Sequence, residues 1–209
     1  AALNILVGNL MALRQQQVKR LLAYSSLSHV GYMALGIGIA IYAGSPSGAQ
    51  GGVFHLLTHG LMKGLAFLAA GALIYAKSGA KSVPAHDHGL SIIDLSGAAR
   101  RYPFEALVFS IALLGLGGLP PLAGFMSKWQ IFVAGFETHS AVIGALVIFA
   151  ALNSALSLAY YAPLVNAVYR RQPSPAVAEG LRIPLSMRVP MGVLALAIVI
   201  VGIWPDMVY

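Results

Sequence analysis

The sequence contains no cysteine, and few of its side chains are charged. The absence of Cys from all 209 residues excludes a disulfide framework, a thiolate metal site and cysteine-ligated iron–sulfur clusters in this chain. Only 9% of the residues are charged, against roughly 25% in a typical soluble domain. Hydrophobic residues make up 58% of the chain, and its mean hydropathy is +0.80. This composition predicts an all-α membrane protein.

The chain also lacks the basic surface stripe of a nucleic-acid-binding protein. Its formal net charge of +7 comes from 13 Lys and Arg against 6 Asp and Glu. These basic residues flank apolar segments and do not alternate with aromatic residues, so membrane topology and anionic lipid explain them better than nucleic acid does. We therefore expect a lipid bilayer as a partner and no nucleic acid.

Six apolar segments alternate with polar breaks along the chain. Each is compared with the roughly 20 residues that a helix needs to span a bilayer. The predicted crossings are residues 1–13, 21–43, 51–76, 104–136, 141–169 and 189–208. The first is too short to span and begins apolar, without Met or a basic leader, so we expect it to be the end of a longer helix. Residues 1–209 are predicted to form a single transmembrane domain.

The fourth segment, residues 104–136, is too long for one span. Three glycines and two prolines lie near its middle: Gly115, Gly117, Gly118, Pro120 and Pro121. Paired prolines remove backbone donors and interrupt a helix, so the segment is predicted to form two half-helices around an unwound centre in mid-membrane. Such breaks mark transport sites in membrane proteins. A simple kink or two short spans are the alternatives.

The basic residues are distributed very unevenly between the two sides of the predicted membrane. When the segments are threaded alternately, one side receives Arg14, Lys19, Arg20, Lys77, Lys81, Arg100, Arg101, Arg170, Arg171, Arg182 and Arg188. The other side receives Glu137, His139 and Asp206. The positive-inside rule makes the first side cytoplasmic, so both ends of this stretch are predicted to face the outer, periplasmic side. The expected location is a bacterial or archaeal plasma membrane, or an organellar energy-transducing membrane.

Only two basic residues, Lys63 and Lys128, lie inside long apolar segments. An ammonium group at membrane depth costs at least about 2.5 kcal/mol unless water, a partner or a function compensates it. Lysine, unlike arginine, can also release its proton. The two lysines therefore indicate a charge pathway through the bilayer. For Lys128 the alternative is a side chain that extends to the outer interface.

The third segment carries His55, His59 and Lys63 at intervals of four residues. At helical spacing the three share one face and cover roughly 12 Å of depth. Groups that gain and lose protons at this spacing predict a proton relay bridged by water. The alternatives are a metal pair, although no third ligand lies near in sequence, and buried structural histidines.

Two further sets of polar residues lie within apolar segments. His29 is near the predicted cytoplasmic end of the second segment, where it is a candidate proton-uptake group. Asn153, Ser157 and Tyr161 share one face of the fifth segment. Neutral hydrogen-bonding residues of this kind either order water or hold helices together.

Other polar residues lie at segment ends and in loops. Glu105 opens the fourth segment and is expected to pair with Arg100 or Arg101. His86 and His88 are expected to lie in a solvated loop.

Several motifs carry a family resemblance. They read NLMALRQ at 9–15, KRLLAYSS at 19–26, SHVGY at 28–32, the whole stretch 55–71, and GLPPLAGFMSK at 118–128. Together they resemble the antiporter-like membrane subunits of respiratory complex I, the multisubunit sodium/proton antiporters and the membrane-bound hydrogenases. The first motif is most similar to subunit N, whereas His55, His59 and Lys63 are more similar to the L, M and antiporter-D branches.

The resemblance implies a fold and an activity. The family's subunits have fourteen helices with two inverted repeats, and this chain would form helices nine to fourteen. Lys63 would be the central lysine of helix eleven, and Lys128 the terminal lysine of the broken helix twelve. The implied activity is proton translocation within an NADH-quinone oxidoreductase assembly, by a relay of Lys63, Lys128, His55, His59, His29 and water.

The resemblance also implies where the redox chemistry takes place. The chain has no flavin, nucleotide or iron–sulfur motif, so quinone, flavin and iron–sulfur clusters are expected in partner subunits, and this chain would be a non-redox membrane subunit of the enzyme. The alternatives are a subunit of a cation/proton antiporter or membrane-bound hydrogenase, and a structural membrane scaffold. A sodium carrier would be expected to have carboxylates at membrane depth, where the sequence offers only Glu105 at an edge.

Overall fold

The computed structural model describes residues 1–44, 46–80 and 89–207, and this part of the chain is helical. The helices are α1 (Ala2–Leu13), α2 (Val18–Ala43), α3 (Pro46–Lys77), α4 (Ala98–Arg101), α5 (Pro103–Gly117), α6 (Ala123–Phe136), α7 (Ala141–Val168), α8 (Pro175–Ala178) and α9 (Leu185–Ile203). Within the described residues there is no strand, only a single bridge between Gln17 and Ser91. The all-α prediction is confirmed. The predictions for Lys81, His86 and His88 lie outside the described residues.

Four helices are long and apolar enough to cross a membrane: α2, α3, α7 and α9. The shorter apolar helices α1 and α5 account for the first crossing and the start of the fourth. The third crossing starts earlier than predicted, at Pro46 rather than at residue 51. Gly44, with a φ of 64°, ends α2 in the left-handed conformation that favours glycine, and proline suits the first turn of the helix that follows.

The fourth predicted crossing is broken where its prolines lie. Helix α5 ends at Gly118, whose φ of 82° suits glycine, and α6 begins after Leu122, whose backbone is extended. In a continuous helix, the carbonyl of Leu116 would accept a hydrogen bond from the N–H of residue 120. Residue 120 is Pro and has no N–H, so the break leaves this carbonyl free for another donor.

Helix α3 lies at the centre of the bundle, where it packs against α2, α5, α6 and α9. Helix α9 approaches the break at Gly202, and a side chain at this position would overlap the carbonyl oxygen of Pro121 and the backbone of Ala123. Only glycine lets the two backbones come so close. The break is therefore held against the last helix of the bundle.

The connecting segments on the basic side are held together by buried polar contacts. The Lys77 ammonium lies 2.9 Å from Asp94 and donates to the carbonyl of Gly89 at 2.8 Å. The hydroxyl of Ser174 donates to the carbonyl of Asp94 at 2.7 Å. Such contacts connect the end of α3 to the loops before α4 and α8.

The predicted partner of Glu105 is wrong. Its carboxylate is fully buried and pairs with Nε of Arg188, on α9, at 2.7 Å. The guanidinium of Arg101 donates instead to the carbonyls of Ala178 and Gly180. The correct partner lies 83 residues away in sequence, because α5 packs against the start of α9.

Candidate functional site

Three histidines from two helices meet in the interior of the bundle. Nδ1 of His29, on α2, lies 3.0 Å from Nε2 of His55, on α3, and both side chains are buried. The ring of His59, one turn further along α3, stacks on His29 with the ring centroids 4.8 Å apart. Imidazoles in direct contact can pass a proton from one ring to the next, since each has one nitrogen that donates and one that accepts.

The histidine cluster, formed by His29, His55 and His59, contacts the second half of the broken helix. Nδ1 of His55 lies 2.8 Å from the hydroxyl of Ser127, on α6. The Thr58 hydroxyl donates to the same Ser127 oxygen at 2.9 Å. Neither hydroxyl was among the candidates from the sequence, because Ser and Thr are common in apolar helices without a functional role.

Two tyrosines also border the cluster. The Tyr161 hydroxyl, from α7, lies 3.5 Å from Nε2 of His29. The Tyr32 ring meets His55 edge-on with the centroids 5.8 Å apart, and its hydroxyl donates to the carbonyl of Ala150 at 3.0 Å. The cluster is therefore enclosed by α2, α3, α6 and α7.

Lys63 is buried and hydrogen-bonded to α2. It is only 6% exposed, and its Nζ donates to the carbonyl of Leu22 at 2.6 Å and to the hydroxyl of Ser25 at 2.5 Å. Both acceptors are neutral. They hold the ammonium in place without the strong attraction that a carboxylate would add.

Lys128 is buried at the break and does not extend outward. It is 3% exposed, and its Nζ donates at 2.9 Å to the free carbonyl of Leu116 and at 2.9 Å to the Ser154 hydroxyl of α7. The ammonium also lies 5.1 Å from the centre of the Tyr32 ring. A cavity of about 230 Å³ adjoins this lysine and is lined by the break and by Trp129. The alternative of a lysine at the outer interface is therefore wrong.

The comparison with known proteins identifies the family of this chain. The family profile described as NADH:quinone oxidoreductase/Mrp antiporter, transmembrane, matches residues 1–154. The chain belongs to this family. The resemblance to the antiporter-like membrane subunits is thereby confirmed.

Individual relatives of the NADH:quinone oxidoreductase/Mrp antiporter family agree with this assignment. The chain is 37% identical to NADH-quinone oxidoreductase subunit N of Anaeromyxobacter sp. (strain Fw109-5), over 98% of this chain and 38% of the relative. It is 35% identical to F(420)H(2) dehydrogenase subunit N of Methanosarcina mazei, over 99% of this chain and 40% of the relative. The chain thus spans about two fifths of the length of these relatives.

A solved structure shows the same fold. The respiratory complex I from Thermus thermophilus with bound Aureothin contains a chain with 34% identity and a TM-score of 0.75. The match covers 99% of this chain and 43% of that one.

The structure brings the predicted residues of this family member together, but in an unexpected order. His29 was predicted near the cytoplasmic end of its helix and instead contacts the other histidines. Because α2 begins at Val18, His29 lies roughly 16 Å along the helix, well inside the bundle. His55 bonds to His29 rather than to His59, whose Nε2 is buried without a hydrogen-bond partner among the described residues.

The polar residues predicted to share one face of α7 contact different parts of the structure. Asn153 links α7 to α1, since the Asn9 amide donates to its carbonyl at 2.9 Å. The hydroxyl of Ser157 donates to the carbonyl of Ser154 within α7 at 2.6 Å. Of the three predicted residues, only Tyr161 contacts the histidine cluster.

Proposed function

We propose that this chain carries protons across an energy-transducing membrane as one subunit of a complex I-like assembly. The supporting observation is that two buried lysines, Lys63 and Lys128, lie on either side of a cluster of three contacting histidines. Two of the relatives named above are subunits of an NADH-quinone oxidoreductase and of an F(420)H(2) dehydrogenase. In such an assembly, quinone, flavin and iron–sulfur clusters belong to partner subunits, and this chain has a non-redox role.

The chemistry of the two lysines suits proton exchange. Each ammonium has three hydrogens, and the described acceptors of both are hydroxyl or carbonyl oxygens. Neutral acceptors hold the charged form but also tolerate the neutral amine, so either lysine can release its proton to a neighbour. A proton arriving at Lys63 passes through the histidine cluster to Lys128, with bound water completing the relay.

The proposed direction of transport follows the charge distribution. Lys63 contacts α2 at Leu22 and Ser25, on the side of the cluster nearer the basic start of that helix. Lys128 lies in the half-helix that ends before Glu137, on the side without Lys or Arg. Transport therefore runs from the cytoplasm through Lys63 to Lys128 and outward, with both ends of this stretch outside.

The partners are other membrane subunits and lipid. Large apolar side chains such as Leu3, Ile41 and Val142 are each more than two-thirds exposed, and only hydrocarbon or another subunit can cover them without cost.

The choice between protons and sodium can be tested in vesicles. Sodium prefers oxygen ligands, above all carboxylates, and the one fully buried carboxylate among the described residues, Glu105, is paired with Arg188. We therefore expect the assembled complex in proteoliposomes to move protons during quinone reduction equally well with and without sodium. Strict dependence on sodium would favour the cation/proton antiporter instead.

The proposed orientation can be tested by labelling. These 209 residues contain no cysteine, so single cysteines placed at Thr138 and Ser78 are labelled without a background signal from this stretch. We expect an impermeant thiol reagent to label Thr138→Cys from the outside and Ser78→Cys only from the cytoplasm. Labelling of the Ser78 position from outside would reverse the assigned orientation.

A further inference from the structure

We propose that the Ser127 hydroxyl sets the tautomers of His55 and His29 together and so joins the histidine cluster to the broken helix. This inference rests on the proposed function and adds to it a specific route. It starts from the order of contacts in the structure, which differs from the ladder of His55, His59 and Lys63 predicted by spacing alone.

The contacts through the cluster form one continuous series. The Ser127 hydroxyl lies 2.8 Å from His55, His55 lies 3.0 Å from His29, and His29 lies 3.5 Å from the Tyr161 hydroxyl. The series therefore runs from Tyr161 to the residue directly before Lys128.

His59 lies beside this series rather than within it. Its ring stacks on His29 at an interplanar angle of 30°, and its Nε2 has no hydrogen-bond partner among the described residues. Stacking restrains the plane of the His29 ring. His59 therefore orients the His29 ring but is not one of the groups that pass the proton.

The hydrogen bonds of the series couple the tautomers of the two rings. When Ser127 donates to Nδ1 of His55, the hydrogen of His55 is on Nε2 and is donated to Nδ1 of His29. Nε2 of His29 then donates to Tyr161. In the second arrangement each bond has the other donor. Nδ1 of His55 donates to Ser127, Nδ1 of His29 donates to Nε2 of His55, and the Tyr161 hydroxyl donates to Nε2 of His29. Conversion of the second arrangement into the first moves one hydrogen across each bond. Tyr161 gives its hydrogen to His29 and is reprotonated from bound water. The Ser127 oxygen receives the Nδ1 hydrogen of His55 and releases its own to bound water, while both imidazoles end neutral. Ring rotations restore the starting arrangement before the next proton.

Thr58 favours the first of the two tautomer arrangements. Its hydroxyl has two acceptors in reach, the Ser127 oxygen at 2.9 Å and the carbonyl of His55 at 3.2 Å. Because the shorter bond goes to Ser127, the hydrogen of Ser127 is left for another acceptor. Nδ1 of His55, at 2.8 Å, is closer than the carbonyl of Gly124, at 3.3 Å. At rest, both His55 and His29 should therefore carry their hydrogen on Nε2.

Transport by serine variants tests the proposal. In the assembled complex in proteoliposomes, we expect Ser127→Ala to lower proton transport by about tenfold or more, since positioned proton transfer typically contributes roughly 10²–10⁴-fold. Ser127→Thr, which keeps a hydroxyl, should restore most of it. Ser110→Ala is the matched control, because this buried serine of α5 donates to Ala106 within its own helix and should not affect transport.

The tautomers provide a readout that a purely structural serine would not change. With ¹⁵N-histidine confined to this subunit of the assembled complex, NMR should show both His29 and His55 protonated on Nε2. In Ser127→Ala, both rings should shift to a mixture of tautomers, although Ser127 contacts only His55 of the two histidines. A change at His55 alone, or unchanged transport in Ser127→Ala, would overturn the inference.

Failure of this inference can be told apart from failure of the proposed function. If Lys63 and Lys128 variants stop transport and Ser127→Ala does not, proton transport stands and the role of Ser127 is rejected. If the lysine variants also transport normally, the proposed function itself fails.

Discussion

Proton transport by the assembled complex is expected to fall by about 100-fold or more when Lys63 is replaced with Ala, the range typical for loss of a positioned acid–base group. The Lys63 ammonium donates to the Ser25 hydroxyl and to the carbonyl of Leu22, both on α2. Its removal takes away the proton carrier at the start of the proposed route. Quinone reduction and the internal pH of proteoliposomes should be followed together, so that lost coupling is distinguished from lost turnover.

The arginine variant separates charge from proton exchange. Lys63→Arg keeps a cation that can donate to the same acceptors, but its guanidinium does not lose a proton at any attainable pH. We therefore expect this variant to assemble and still transport poorly. Lys19→Ala, at an exposed lysine near the start of α2, is the control and should transport normally. Normal transport by both Lys63 variants, with assembly verified, would show that Lys63 does not carry the proton.

The sequence predicts those parts of this site that depend on residues close together in the chain. A charged residue in an apolar run identifies Lys63 and Lys128, because an ammonium is rarely retained at membrane depth without a functional role. The four-residue spacing places His55 and His59 on one helix face. The paired prolines identify the broken helix, since proline cannot donate a backbone hydrogen bond.

The parts that the sequence does not predict are contacts between helices. The bond between His29 and His55, and that between His55 and Ser127, depend on how α2, α3 and α6 are rotated against each other. Periodicity gives the face of one helix but not the residue opposite it on another. The same limit explains why Glu105 was assigned to a neighbouring arginine rather than to Arg188.

The broken helix links the prolines directly to the outer lysine. Lys128 donates to the carbonyl of Leu116, and that carbonyl is free because Pro120 has no N–H to offer it. The lysine thus replaces the missing helical hydrogen bond. The ammonium of Lys128 can be buried at the break because this backbone carbonyl accepts its hydrogen bond.

Replacement of Pro120 and Pro121 with Ala should therefore remove a hydrogen-bond acceptor of Lys128 without changing the lysine itself. Each proline disfavours a helix interior by roughly 3 kcal/mol, so the double variant can continue α5 towards Leu122. The carbonyl of Leu116 would then accept from residue 120, and Lys128 would lose one of its two described acceptors. We expect the double variant to assemble and to lose as much proton transport in proteoliposomes as Lys128→Ala does.

A proline elsewhere provides the control for this last experiment. Pro163 lies inside the continuous helix α7, so Pro163→Ala removes a proline without closing a break and should leave transport unchanged. Gly202 still packs against the carbonyl of Pro121 and favours the open conformation. If the double variant transports protons normally and Lys128→Ala does not, packing against α9 alone maintains the break, and the prolines are not needed to supply the acceptor of Lys128.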